Sequence, residues 1–296
     1  MSYRVTFHCS RAEAEALPEA DILFPHDDSP PVLVVDEPDP AKPDDWRLHA
    51  YFEREPTLDE LKILSRLAGG NAPQIDRLGE DDWVTMSQQG LEPIRAGRFF
   101  VHTPTHRDTV PEGAVALEID AGLAFGTGQH ATTAGCLAAL DKLGNDGAEF
   151  INIADIGTGT GLLAFAAMAL WPEARCIATD IDPIAIGVTR DNAAINRVPL
   201  GGGAGELLLV VADGMESELL TARAPFDLLI ANILAGPLID LAPAFAKAVA
   251  PGATIILAGL LNSQADAVIA AYDALGMKLV ERGLDEWTVL VLRKPT

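Results

Sequence analysis

The run Asp155-Ile156-Gly157-Thr158-Gly159-Thr160-Gly161 limits the fold of this chain more than any other stretch. The mostly apolar Phe150–Asp155 leads into it and the apolar Leu162–Leu170 leaves it. The first reads as a buried strand, the second as a helix. Glycines at alternate positions supply the dihedrals of a tight turn and let the backbone approach a ligand. The next strand, Arg175–Asp180, ends on an acid, where a carboxylate can grip both hydroxyls of a ribose. A strand, glycine loop, helix and second strand of this kind build a sheet with helices on both faces. Such a sheet binds a nucleoside at its strand ends.

Two nucleoside ligands compete for the loop. The dinucleotide pattern G-x-G-x-x-G/A fits at Gly159, Gly161 and Ala164, but the pattern is degenerate. Asp155, ahead of the first glycine, would repel a pyrophosphate and can engage an ammonium, directly or through water. That acid disfavours NAD and favours S-adenosylmethionine.

From about residue 99 onward strands and helices alternate. Val115–Asp120 reads as a strand and His130–Leu143 as a helix. Pro183–Asn196 is a helix with Asp182 as N-cap and Pro183 in its first turn. Glu206–Ala212, Phe226–Ala231 and Ala253–Ala258 are strands. Pro237–Ala250 is helical, with a kink or restart at Pro243. Ser263–Leu275 is a helix, and Lys278–Arg282 with Trp287–Leu292 makes a closing strand pair. Gly201-Gly202-Gly203 is a flexible turn. This part, 99–296, reads as a Rossmann-like α/β domain.

The front, 1–70, has a different grain. Tyr3–Phe7, Pro31–Val35 and Arg47–Phe52 read as strands, and Arg11–Leu17 as a helix. Thr57–Ala68 is a second helix: Thr57 and Glu60 form a capping box, Leu61, Ile63, Leu64 and Leu67 an apolar stripe, and Gly69-Gly70 the stop. This predicts a small α+β domain. The stretch 71–98 reads as a connector, with a short helix around Asp82–Gln88; Asp36–Asp45, rich in acids and proline, is a loop.

The formal charge is −22, from 43 acids against 21 lysines and arginines. Nucleic-acid binding draws on Lys and Arg at phosphates, so direct contact with nucleic acid is not expected. The excess suits a basic protein partner or solubility alone, and it is densest at the front, with fifteen acids and five bases in residues 1–60. No apolar run is long enough for a transmembrane helix, and the first residues lack the apolar core of a secretory signal. Cys9, Cys136 and Cys176 are far apart and odd in number, which fits a reducing cytoplasm and thiols that pack as small hydrophobes. His102 and His106 are separated by Pro104 and read as ordinary surface or loop histidines, so no metal site is expected.

Ile230-Ala231-Asn232-Ile233-Leu234-Ala235-Gly236-Pro237 adds a polar residue at the carboxyl end of a strand, where such folds hold reactants. The Asn232 side-chain oxygen can accept an N–H from an amine nucleophile. It can equally cap the segment that follows, and the two roles are compatible.

Four motifs occur in order: Gly-Leu-Ala-Phe-Gly-Thr-Gly-Gln-His-Ala-Thr-Thr (122–133), the glycine loop, Asp-Ile-Asp-Pro-Ile-Ala-Ile (180–186) and Ala-Asn-Ile-Leu-Ala-Gly-Pro-Leu (231–238). Together they resemble the bacterial methyltransferases of large-subunit ribosomal protein eleven, clearly over 80–294 and loosely at the front. The first and last motifs are the specific ones. The resemblance implies a class I methyltransferase domain behind a substrate-recognition domain, S-adenosylmethionine as cofactor, and methylation of lysine and N-terminal amines. By motif position, Phe125, Thr133, Gly157, Gly159, Asp180 and Asn232 would bind the cofactor, Asn232 would also be catalytic, and Asp213 would reach the adenine. Residues 124–133 would form a lid or wall over the methionine end, with Thr133 donating a hydrogen bond and His130 shaping the loop in preference to transferring a proton. The family usually has Thr-His-Pro-Thr-Thr where this chain has Gln129-His130-Ala131-Thr132-Thr133, and often Cys and Ser where Thr158 and Thr160 stand. Two other readings share these motifs: a methyltransferase for another protein or a small molecule, and a non-catalytic regulator that binds the cofactor.

Overall fold

The computed structural model describes residues 2–15, 23–24, 30–36, 46–52, 54–78, 93–119 and 131–296. The chain divides into two compact units, Met1–Ser87 and Gln88–Thr296. The expected helix around Asp82–Gln88, the lid residues 124–130 and the acidic loop after Asp36 lie outside the described residues.

In the first unit, β1 (Ser2–Cys9), β2 (Val32–Asp36), β3 (Trp46–Phe52) and β4 (Gln74–Leu78) form an antiparallel sheet in the order β2-β3-β1-β4. Alternation puts Val5, Phe7, Leu48, Ala50 and Phe52 on one face. They bury against α1 (Arg11–Glu15) and α2 (Leu58–Leu67), with Leu64 and Ala68 in the same core. The capping box is formed: Thr57 accepts from the Glu60 amide while Glu60 accepts from the Thr57 amide at 2.6 Å. Glu60 is also held by Arg54 at 2.7 Å. The boundary expected at residue 70 is corrected. Part of the expected connector, 71–98, is β4, which pairs with β1 and is fastened by Arg4 to Asp76 at 2.8 Å. Short and polar on its exposed side, Gln74–Leu78 carries too little local pattern to read as a strand without its partner.

The second unit opens with β5 (Ile94–Ala96), β6 (Phe99–His102) and β7 (Val115–Glu118), a small sheet in that order. Then follow α3 (Ala131–Asn145), β8 (Asn152–Ile156), α4 (Leu162–Leu170), β9 (Arg175–Asp180), α5 (Pro183–Ile195), β10 (Leu207–Val211), α6 (Glu218–Arg223), β11 (Phe226–Asn232), α7 (Ala235–Asp240), α8 (Ala242–Ala248), β12 (Val249–Leu261), α9 (Ala265–Asp273), β13 (Lys278–Arg282) and β14 (Trp287–Arg293). The main sheet runs β10-β9-β8-β11-β12-β14-β13. Its first five strands are parallel and β14 is antiparallel to both neighbours.

The central strands are apolar because both faces are covered. β8 is buried along its whole length, and Leu228–Ala231 of β11 are fully buried. One core cluster joins α3 and α4 to the sheet, including Leu137, Leu140, Leu163 and Phe165. The other joins α7, α8 and α9, including Leu238, Phe245 and Tyr272. At the amino ends, Asp227 of β11 accepts the amides of Ile151 and Asn152 at 2.8 and 3.0 Å, which pins the register of β8 and β11. The helical stretch expected over 237–250 restarts beside Pro243, as its sequence implies: two helices meet at Leu241, and Ala250 already belongs to β12. Proline lacks the amide that would continue the first helix, so the chain restarts there. Helix α6 carried no strong local signal in the sequence; Ser217 caps it through the Leu219 amide.

Candidate active site

Strand order reverses between β8 and β11, and in open α/β sheets ligands settle at the carboxyl ends beside such a reversal. The glycine loop leaves β8 at that point. Gly157, Gly159 and Gly161 all have positive φ, at 73, 58 and 87°. The loop is fastened on two sides. The Gly157 and Thr158 amides donate to the Thr179 carbonyl of β9 at 2.8 and 2.9 Å. From α5, Thr189 Oγ1 donates to the Gly159 carbonyl at 2.8 Å and Asn192 Nδ2 to the Thr160 carbonyl at 3.1 Å.

Asp180 stands at the end of β9, half-buried. Its Oδ2 accepts the Gly159 amide at 2.9 Å and its Oδ1 the Asp182 amide at 3.0 Å. Each carboxylate oxygen has a second lone pair, so both can accept one more hydrogen, the requirement for gripping a diol. Asp155 is buried at the end of β8. Its Oδ2 accepts from Thr158 Oγ1 at 2.7 Å and from the Ala164 amide at 3.2 Å, while Oδ1 has no partner. Burial raises its pKa to about 6, Thr158 and Ala164 pull it back, and the Asp180 charge adds to the rise. A buried carboxylate oxygen with nothing to accept calls for a donor, best a cationic one.

Asn232 ends β11, half-buried, next to the glycine loop. Its Nδ2 donates to Thr133 Oγ1 at 3.3 Å. Thr133 is buried, in the first turn of α3, which packs over β12 and β14. With Nδ2 committed to Thr133, Oδ1 of Asn232 is left as an acceptor, and the Thr133 hydroxyl keeps its own hydrogen to donate. Ile233 follows. A Cβ added at Gly157 would fall 2.3 Å from Ile233 Cγ2, so only glycine lets the loop close against this residue.

Thr133, Gly157, Gly159, Asp180 and Asn232 are therefore gathered at one end of one sheet. Phe125 and His130 lie outside the described residues. Asp213 is exposed, two residues beyond β10, whose Val211 is in register with Asp180. The expectation for His102 is corrected: it is buried in β6, its Nδ1 at 2.8 Å from the Thr103 carbonyl, because Phe99–His102 is an inner strand of the small sheet. Among the described residues no His, Cys, Asp or Glu cluster could hold a metal ion. The three cysteines are buried thiols, and burial pushes Cys136 and Cys176 up, so these two are packing groups. Thr189 and Asn192 were missed as site residues. Two polar side chains in the buried stripe of α5, three positions apart, were the available signal.

The profile of the family described as ribosomal protein L11 methyltransferase (PrmA) matches residues 25–295. A ribosomal protein L11 methyltransferase of Brucella abortus (strain S19) is 40% identical over 274 residues, 93% of each chain. The chain belongs to the ribosomal protein L11 methyltransferase family. A second such protein, from Caulobacter sp. (strain K31), is 41% identical over 290 residues, covering 97% of this chain and 96% of its own. The crystal structure of a ribosomal protein L11 methylase from Lactobacillus delbrueckii subsp. bulgaricus superposes with a TM-score of 0.57 at 25% identity, over 70% of this chain and all of that one. The main sheet is thus that of a Rossmann-like class I methyltransferase, an S-adenosylmethionine-dependent enzyme family. The residues fit that cofactor. The unpartnered Asp155 oxygen answers a cation where a pyrophosphate would be repelled, and Asp180 has acceptors to spare for a ribose.

Proposed function

We propose that this chain transfers methyl groups from S-adenosylmethionine to lysine side-chain and N-terminal amines of ribosomal protein L11, a basic partner met in the cytoplasm. The observation that carries the reading is the Asn232 amide, fixed by Thr133 beside the glycine loop with its oxygen left to accept. Asp180 would hold the ribose, Gly157 and Gly159 the backbone contacts, Thr133 and Phe125 the methionine side, and Asp213 the adenine. When bound, the cofactor supplies an electrophilic sulfonium methyl.

The chain's own contribution is orientation. Asn232 Oδ1 accepts an N–H of the incoming amine and aims the nitrogen lone pair. Holding two reactants in line is worth orders of magnitude in rate. An α-amine, with a reference pKa of about 7.7–8.0, is partly neutral at physiological pH, whereas lysine, near 10.4, must first lose a proton to water in a poorly solvated site. Asparagine is no base at neutral pH, so it positions the amine and leaves deprotonation to solvent. The acidic front unit would recognise the basic substrate protein.

The test is mass spectrometry of purified ribosomal protein L11 after incubation with the chain and S-adenosylmethionine. Steps of one methyl mass are expected on lysines and the N-terminus. Asn232→Ala should bind the cofactor and lose about 100-fold or more in turnover. No mass shift with wild-type protein that binds the cofactor would overturn the assignment of substrate.

A further inference from the structure

Ile233 sits between two glycines, one in the loop that leaves β8 and one in β12, the strands flanking β11. On the β8 side is Gly157, where an added Cβ would fall 2.3 Å from Ile233 Cγ2. On the β12 side is Gly259, with φ at 84°. A Cβ there would fall 2.4 Å from the carbonyl oxygen of Ile233, 2.7 Å from its carbonyl carbon and 2.9 Å from its nitrogen. The first contact is with a side chain and the second with backbone, which cannot swing aside. Gly259 also lies in an irregularity of β12, where its pairing with β14 shifts register between Leu257 and Leu260. That irregularity brings one residue of β12 against the turn that follows Asn232.

Continued by one residue, the parallel register of β11 and β12 sets Ile233 opposite Gly259, and the left-handed backbone at Gly259 turns its Cα onto that partner more closely than flat pairing would. β11 and β12 are already paired in parallel register from Leu228 opposite Thr254 to Asn232 opposite Ala258. The core of the sheet is filled below that level, with Ile230, Ala231, Leu257 and Ala258 fully buried. The left-handed backbone at Gly259 directs this approach onto the residue next to Asn232. The Asn232 side chain is fixed separately, by Thr133. One device therefore sets the amide head and another sets the backbone that carries it.

We propose that Ile233, gripped by Gly157 and Gly259, is a positioning residue for methyl transfer: the grip fixes the backbone of Asn232 and ties its place to that of the cofactor loop. This deepens the functional reading above and rests on it. A displacement of the amine acceptor by a fraction of an ångström lengthens the attack distance without removing any contact to the cofactor, so it lowers turnover and spares cofactor affinity.

The test uses the full chain, with ribosomal protein L11 as acceptor, and three variants. Turnover, KM for the acceptor and the Kd for S-adenosylmethionine are measured for each, and thermal melts monitor folding. Ile233→Ala removes the Cγ2 that meets Gly157 and is expected to lower kcat about 10-fold or more, with Kd within about threefold. Ile233→Val keeps a methyl at that contact and is expected to recover most of the turnover. Gly259→Ala places its Cβ on the Ile233 backbone and is expected to lower kcat further, again with Kd held. If Gly259→Ala fails to fold, the Ile233 pair decides. Wild-type turnover of Ile233→Ala would overturn the proposal. So would an equal loss of kcat and cofactor affinity, or a failure of valine to restore what alanine loses. Absence of turnover in the wild-type chain would instead defeat the substrate assignment.

Discussion

Thr189 Oγ1, on α5, donates to the carbonyl of Gly159 at 2.8 Å across thirty positions of sequence. Thr189 is fully buried, and the bond holds one peptide of the glycine loop from behind. The same peptide chain is held from the front by Asp180, which accepts the Gly159 amide. Thr189→Val keeps the shape, removes the hydroxyl and leaves a loop carbonyl without this donor, a change worth about 1–2 kcal/mol. The Kd for S-adenosylmethionine should rise about 5- to 30-fold, and Thr189→Ser should restore it. Isothermal titration of the three proteins checks this. An unchanged Kd for the valine variant would show that β9, Asp180 and Asn192 hold the loop without it.

The raised pKa of Asp155, about 6 against an ordinary 3.8, makes a stability statement. The folded chain holds this proton more tightly than the unfolded chain. The group's contribution is therefore fully present below about pH 3.8 and is lost as pH rises through 6. Two units at 1.36 kcal/mol each set the loss at about 3 kcal/mol. Asp155→Asn carries no such charge. Relative to wild type, the variant should gain about 2–3 kcal/mol between pH 4 and pH 7, whatever constant offset its altered hydrogen bonds introduce. Urea unfolding of both proteins at the two pH values reads the difference. Equal offsets at both would mean that Asp155 titrates normally.

In the first unit the linkage has the opposite sign. Arg54 beside Glu60, with the Thr57 cap, holds the Glu60 carboxyl at about 2 against an ordinary 4.5, although burial opposes them. Its stabilisation is present above pH 4.5 and lost as pH falls towards 2. Arg54 is nearly half exposed, so solvent screens its share, and about 1–2 kcal/mol is the expected size. Glu60→Gln should destabilise α2 by that amount at pH 7 and by much less at pH 2.5. Amide exchange of Leu61–Leu64 is the measurement. A pH-independent difference would assign the effect to the cap alone.

Much of this architecture is legible in local signals. Leu162–Leu170 and Arg175–Asp180 form the elements expected, residue for residue, because an apolar run bounded by glycine and acid leaves little choice. The Thr57 box and the Asp182 cap are readable because each closes within three residues. β4 and α6 were not legible. A five-residue edge strand and a six-residue helix acquire their identity from the neighbours they pair with. His102 shows the same limit: its neighbours Phe99–Val101 are apolar, yet its burial comes from pairing in the small sheet.

By itself the sequence determined a glycine loop between strand and helix, an acid at the end of the next strand, and an asparagine after an apolar strand. Dihedral preference and periodicity act over a few residues and need no partner. Only the tertiary structure decided that Asn232 meets Thr133 across ninety-nine positions, that α5 holds the loop through Thr189, and that Gly157 and Gly259 close on Ile233. Those contacts depend on strand order and on how closely two backbones approach, and no local pattern encodes either.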